Sequence, residues 1–213
     1  MKIGIVIATW HEVPKLFYSE TPPRRRNPRV FNFDGKEITL LVTGIGQKNA
    51  QRAIINFLST HKVHQILHVG FAGSLKNYVK PCYLVVADKI SCRQGEIIYC
   101  DDVLVEDVRR ALEKNVDFHI GGIWTSSGLA TETDKIPTEF IASDMESYWI
   151  GKEVREREIP FLAVKAITDQ VFPSRRRKLP QMFKSLLTFF VVLKNSKRAK
   201  TKLEILLKSY LVA

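Results

Sequence analysis

Short apolar runs alternate along the chain with longer amphipathic stretches, and this alternation limits the fold more than any other feature. KIGIVIAT (2–9), EITLLVTG (37–44), HQILHVG (64–70), CYLVVADKI (82–90), FHIGGIWTSS (118–127) and IPFLAVKAIT (159–168) are short and rich in strand-forming residues. Several are apolar on consecutive positions, whereas a strand with one wet face would alternate, so these strands are covered on both faces. Between them QKNAQRAIINFLSTH (47–61), DDVLVEDVRRALEKN (101–115) and ESYWIGKEVRERE (146–158) carry helical spacing, the last entered from a further strand at 138–143. Strands alternating with helices predict a layered α/β fold around a largely parallel sheet.

Charge is distributed unevenly. The 213 residues hold 33 Lys/Arg and 22 Asp/Glu, a net charge of +11. From Ser174 onward there are eleven Lys/Arg against the single acid Glu204, so the body is nearly neutral and the basicity belongs to the tail. The tail lacks the interleaved stacking aromatics or reading motif of a nucleic-acid binder, which argues against a nucleic-acid partner. From Pro173 it is predicted to form two basic amphipathic helices, over about 179–194 and 198–211, dividing the chain into a domain at 1–172 and a helical extension at 173–213 packed on or flanking it. TPPRRRNPR (21–29) is a solvated connector.

The opening MKIGIVIATWHEV reaches His11 and Glu12 without a small-residue cleavage site and is a first strand rather than a signal peptide. SLLTFFVVL, the longest uncharged apolar run near the end, has nine residues, about half of a membrane span. The expectation is a soluble chain, peripheral to a membrane at most. Cys82, Cys92 and Cys100 form no C-x-x-C pair and have no His at zinc spacing, so a reduced, cytoplasmic setting without a metal or other cofactor is expected.

In layered α/β folds ligands sit beyond the carboxyl ends of the strands. The predicted strand ends carry His11-Glu12, Gly44-Ile45-Gly46, Gly70-Phe71-Ala72-Gly73-Ser74, Asp144-Met145-Glu146 and Thr168-Asp169. Glycines there let backbone N–H groups approach a ligand, and a following helix start adds positive dipole. Each member has a plain structural alternative: a tight turn for G-x-G, helix capping for the acids, turn closure for Asp169. The conjunction is what points to a site.

MKIGIVIATWHEV, VTGIG, VGFAGSL, SDMES and AITD, in this order and spacing, resemble the purine nucleoside phosphorylase/nucleosidase superfamily over about residues 1–170. The layout is most similar to the 5′-methylthioadenosine/S-adenosylhomocysteine nucleosidases. The resemblance implies a three-layer α/β/α fold with a central mixed, largely parallel sheet, and hydrolysis of the N-glycosidic bond of an adenosine-type nucleoside. By that likeness Asp169 is the acid that protonates the purine, and Thr168 helps to orient it. Glu146 accepts the ribose hydroxyls, Met145 packs on the sugar, and Glu12 is the base that orients water. Gly44, Gly46, Gly70 and Phe71 line the substrate site. Asp144, by its place at the strand end, is the better candidate for capping or shaping the turn. The resemblance also implies a homo-oligomer, dimeric or larger.

Departures from the pattern refine the reading. Where phosphorylases carry an arginine- and serine-containing phosphate segment, this chain has His68-Val69-Gly70-Phe71, poor ligands for an anion. Hydrolysis is favoured over phosphorolysis, with Arg24, Arg25, Arg26, Arg29 or Arg93 as the loop arginines that could supply charge. Ser126–Thr131 lacks the aromatic expected on the base. Lys165 replaces a common arginine, with a solvated or structural role. The tail, and an apolar residue at Phe71, resemble the hopanoid-associated phosphorylase-like branch, which implies release of adenine from adenosylhopane and contact with a membrane surface. A nucleoside-binding protein without turnover is a third alternative.

Overall fold

The computed structural model describes residues 1–18, 28–130, 134–170 and 181–212, with the backbone alone described over 181–194. Arg24, Arg25 and Arg26 therefore lie outside the described residues. The first strand, β1 (Lys2–Ile7), is buried from Ile3 to Ile7. It lies between β3 (Lys36–Val42) and β4 (Gln65–Ser74), parallel to both. A strand with two covered faces and two paired edges needs the uninterrupted apolar run that KIGIVI supplies.

The sequence placed a connector up to residue 29, but β2 (Arg29–Phe33) begins there and closes a hairpin on β3. The hairpin turns at Asp34-Gly35, both with positive φ, which is the Asx-Gly signature of such turns. The next elements are α1 (Gln47–Thr60) after β3, and β5 (Leu84–Val86) after β4. Then come β6 (Lys89–Cys92), β7 (Ile98–Tyr99), α2 (Asp102–Leu112), β8 (Phe118–Ile120) and β9 (Gly122–Thr125). The chain continues through β10 (Phe140–Asp144), α3 (Ser147–Arg155) and β11 (Phe161–Gln170) to the helix α4 (Gln181–Val212).

The eleven strands form one mixed sheet whose main path is β2-β3-β1-β4-β10-β9-β6-β7, with β11, β5 and β8 branching from β4. Such a branch is a switch point of the sheet, where α/β folds leave a crevice beyond the strand ends. Along most of its length β4 pairs in parallel with β11, and at its carboxyl end Ala142 and Ser143 of β10 join it antiparallel. Gly73 thus has Asp169 of β11 on one side and Ser143 of β10 on the other. Helices α1 and α3 pack together, and α2 packs with α4, which completes the three-layer α/β/α arrangement expected from the sequence.

The tail forms one continuous helix rather than two. Nothing between 194 and 198 breaks a helix, and Asn195, Ser196 and Lys197 continue it. In its described half, Ala199, Leu203, Leu206, Leu207, Tyr210 and Leu211 are buried in the core, at the three- and four-residue spacing of one helical face. Gln65 donates to the Tyr210 hydroxyl at 2.6 Å, and Lys36 Nζ donates to the Leu211 carbonyl at 2.8 Å. The helix end is fastened to the sheet by bonds as well as by area.

Candidate active site

Glu12 follows β1 in a tight turn. Its Oε2 accepts from Thr9 N at 2.7 Å and from Thr9 Oγ1 at 3.0 Å, while Oε1 accepts from Phe71 N of β4 at 2.8 Å. The carboxylate is buried and bridges the ends of two neighbouring strands. Gly70 makes this approach feasible: a Cβ at that position would stand 3.1 Å from Glu12 Oε1 and 3.4 Å from Lys165 Nζ. The glycine clears the side-chain space that Glu12 and Lys165 share.

Glu146 stands at the N-terminal boundary of α3 and makes no side-chain capping bond. Its Oε1 instead accepts from Gly46 N at 2.8 Å, across the crevice at the start of α1. Gly44 and Gly46 have φ of 90° and 81°, the left-handed region open to glycine at little cost, and this backbone turns the Gly46 N–H toward the carboxylate. Glu146 is thus a buried acid held for something other than its own helix. Met145 lies beside it, with its methyl 4.0 Å from the position a Gly46 Cβ would take.

Asp144 does what a turn-shaping acid should, accepting from Ser147 N at 3.0 Å and from the Ser147 hydroxyl. It does more than the sequence indicated. Its Oδ1 accepts from Thr125 Oγ1 at 2.8 Å, and its Oδ2 pairs with Lys165 Nζ at 3.0 Å. Lys165 Nζ also lies 2.6 Å from His68 Nε2. Both Lys165 and His68 are fully buried. The solvated alternative for Lys165 is therefore corrected: on β11 in register with Gly70, its side chain extends into the space that glycine leaves. Its structural alternative agrees with the contacts.

Burial would raise the Asp144 carboxyl, but Lys165, with His68 and Ser147, outweighs it and holds the group well below the ordinary carboxylate range. Glu146 goes the other way. Burial, then the neighbouring Asp144 charge, push it up to about 7, with Lys165 and the Gly46 N–H opposing and Glu12 adding to the rise. His68 is lowered by burial and by Lys165, and so is neutral. Its Nδ1 is 3.0 Å from the Val6 carbonyl, which can only accept, so Nδ1 carries the hydrogen and Nε2 accepts from the ammonium.

His68, Asp144 and Glu146 present ligand atoms within 4.8 Å of one another. The Lys165 ammonium, however, already bonds the first two and supplies the cationic charge there. The cluster is an ion-pair network in this chemistry.

Thr168 and Asp169 lie inside β11 rather than beyond it, because the strand extends to Gln170. The register slips between Ile167 and Asp169, and a bulge of this kind re-aims the side chains around it. The Thr168 hydroxyl donates to Asp169 Oδ1 at 2.9 Å, as an orienting hydroxyl would. Asn195 of α4 donates to the Thr168 carbonyl at 2.7 Å, a contact with no signal in the sequence. Phe71 is half-buried against the core, and its N–H is engaged by Glu12. On the far side of the crevice, Ser126 Oγ bonds Ser143 Oγ at 3.0 Å, while Leu129 is largely exposed.

The sequence pattern of the phosphorylase superfamily matches residues 2–211. The chain belongs to that superfamily. Among characterised relatives, the 5′-methylthioadenosine/S-adenosylhomocysteine nucleosidase of Buchnera aphidicola is 25% identical over 198 residues, 80% of this chain and 85% of its own. In solved structures, the corresponding nucleosidase of Colwellia psychrerythraea in complex with adenine superposes with a TM-score of 0.82 at 17% identity. That match covers 99% of this chain and 94% of the other. The futalosine hydrolase of Helicobacter pylori superposes with a TM-score of 0.75 at 16% identity, covering 97% of each chain. These superpositions show that the chain has the fold of those enzymes.

Proposed function

We propose that this member of the superfamily is a purine nucleosidase, hydrolysing the N-glycosidic bond of an adenosine-type nucleoside such as methylthioadenosine or adenosylhomocysteine. The observation that carries the reading is the pairing of two buried carboxylates, Glu12 and Glu146. Each is held by a backbone N–H from another element, Glu12 by Phe71 of β4 and Glu146 by Gly46 at the start of α1, and Glu146 makes no side-chain cap to its own helix. The nucleosidase relatives support it.

Cleavage moves the glycosidic electron pair onto the purine and leaves a ribosyl cation-like centre. The purine departs readily when N7 receives a proton, and Asp169, oriented by Thr168, is the acid assigned to that transfer. Glu146 accepts from the ribose hydroxyls through Oε2, which makes no hydrogen bond with the described residues. Met145 and Phe71 flank the sugar, and Gly44, Gly46 and Gly70 give the close approach. Glu12 takes a proton from the water that adds to the anomeric carbon. The products are the free purine and the ribose with a new hydroxyl, and the proton given up by water balances the one delivered to the base.

Hydrolysis is preferred to phosphorolysis on electrostatic grounds. Among the described residues, Glu12, Asp144 and Glu146 are all buried here against one buried ammonium, that of Lys165, and His68 is committed to it. A phosphate dianion would enter against unfavourable charge.

Purified protein should release adenine from methylthioadenosine at the same rate with and without phosphate. Asp169→Asn should lower kcat by about 10²- to 10⁴-fold, the usual contribution of a general acid. Turnover of no adenine nucleoside, or an Asp169→Asn rate equal to the parent, would overturn the reading; release that required phosphate would make the enzyme a phosphorylase. The corresponding cellular picture is a cytoplasmic homodimer, testable by light scattering.

A second reading keeps the chemistry and changes the substrate to a lipid-linked adenosine such as adenosylhopane. The half-buried Phe71 beside Glu12 and the basic outer face of α4 favour it.

A further inference from the structure

Lys165 is unusual in having an ammonium group without exposure. A lone buried lysine sheds its proton. Here it keeps two partners of different character. Asp144, at 3.0 Å, opposes its charge. His68, at 2.6 Å, accepts a hydrogen bond while neutral and cancels none of it. A second carboxylate in place of His68 would have made the cluster net negative, whereas the neutral histidine anchors Lys165 without adding to the negative charge around it.

Those surroundings are acidic from three of the elements that pack on the cluster. The turn after β1 brings Glu12, β10 brings Asp144, and the start of α3 brings Glu146. The neutral contributions are His68 and Gly70 from β4, Thr125 from β9 and the Gly46 N–H from α1. Asp144 is saturated by Thr125, Ser147 and Lys165 and has no capacity left for another acid. The Glu146 carboxylate has one backbone hydrogen bond among the described residues, from Gly46. Its position as an ionised group among Glu12 and Asp144 depends on the one ammonium that burial has placed beside them.

We propose that His68 and Lys165 form a positioning pair that keeps Glu146 ionised for the sugar hydroxyls, His68 fixing the ammonium and Lys165 supplying the charge. The proposal deepens the nucleosidase reading and rests on it for the role of Glu146, but the electrostatic claim can be read without turnover. The pair touches no reacting atom. It acts through Glu146.

The first measurement is a ¹³C carboxyl NMR titration of the full-length protein, with the Glu146 resonance assigned by its loss in Glu146→Gln. In Lys165→Met the midpoint should move to higher pH by about one unit or more, the scale expected when a close opposite charge is removed. Lys165→Arg should restore much of it, and His68→Leu should give a smaller shift of the same sign. The second measurement is the pH profile of KM for methylthioadenosine. Its inflexion should move with the NMR midpoint, while the kcat profile moves less.

An unmoved midpoint in Lys165→Met overturns the proposal. So does an equal shift in Lys165→Arg, which would mean packing rather than charge. If Lys165→Met does not fold, the double variant Lys165→Met/Asp144→Asn removes both partners of the buried ion pair and is compared with Asp144→Asn alone by the same rule. A midpoint that shifts in a protein with no nucleosidase turnover leaves the pair standing and removes the functional reading instead.

Discussion

Glu146 shows how function and stability oppose one another within a single residue. Its carboxyl is moved from the ordinary 4.5 to about 7, first by burial and then by the Asp144 charge. A folded-state pKa above the unfolded one means that the folded protein binds the proton more tightly. The associated stability is present in full below about pH 4.5 and is lost as pH rises through 7. The whole swing is on the order of 3 kcal/mol by the free-energy equivalent of a pKa change. Glu146→Gln keeps an acceptor for the Gly46 N–H and removes the charge. Its melting temperature should match the parent near pH 4 and exceed it increasingly toward pH 8, while its loss of nucleoside binding should be greatest above pH 7, where the parent carboxylate is ionised. Scanning calorimetry at pH 4, 6 and 8 checks the first part. A constant difference across that range would contradict the assignment. SDMES is where the sequence was most informative: Asp144 shapes the turn, as its place suggested, and Glu146 is held across the crevice by Gly46. Lys165 and His68 were hard to foresee because their meaning lies in a contact between positions 97 residues apart, made across a glycine.

Elements were legible where a run is long, apolar and covered on both faces, and least so where pairing alone defines a strand. β1 and β3 lie close to their predicted limits because nearly every residue is buried, and α1 and α2 because their buried residues recur at helical spacing. β2, with only partial burial, and the two-residue β7 carry little apolar signal and are held by antiparallel neighbours. CYLVVADKI and FHIGGIWTSS each looked like one strand and became two, because the chain steps from one branch of the sheet to the other within each run. β4 and β11 outran their predicted ends, since the small residues of Gly70-Phe71-Ala72-Gly73-Ser74 pair readily with β11. At this scale α4 invites a direct test. Leu207 is fully buried on its inner face, and Leu207→Ala should cost about 2–5 kcal/mol in urea unfolding, the range of large-to-small core substitutions. A cost below about 1 kcal/mol would show that the helix adds little to the core.

For the molecule as a whole, the uneven charge is the open question, and the packing of α4 decides how to approach it. Removing the tail to test for membrane contact would be a poor experiment. From Ala199 to Leu211 the helix supplies core, so a truncated chain would expose a wide apolar surface and adhere to lipid for that reason alone. The same packing sets the form that any contact can take. The apolar face of this half of α4 is already used against the sheet, and among the described residues no helix is long and apolar enough to cross a membrane. What remains outward is cationic, with Lys197, Arg198 and Lys208 exposed. Contact through this face would therefore be electrostatic, worth about 1 kcal/mol for each basic residue at an anionic surface, and screened within a Debye length. Full-length protein should co-sediment with vesicles containing phosphatidylserine at low ionic strength and be released by about 0.5 M salt. Lys197→Gln/Arg198→Gln, at two exposed positions, should weaken that partitioning by about 10-fold or more, as two such contributions require. Binding to neutral vesicles that survives both the salt and the double substitution would place the contact elsewhere on the molecule. Absence of any binding would leave the lysines as the wet side of a core helix and favour a substrate met in solution.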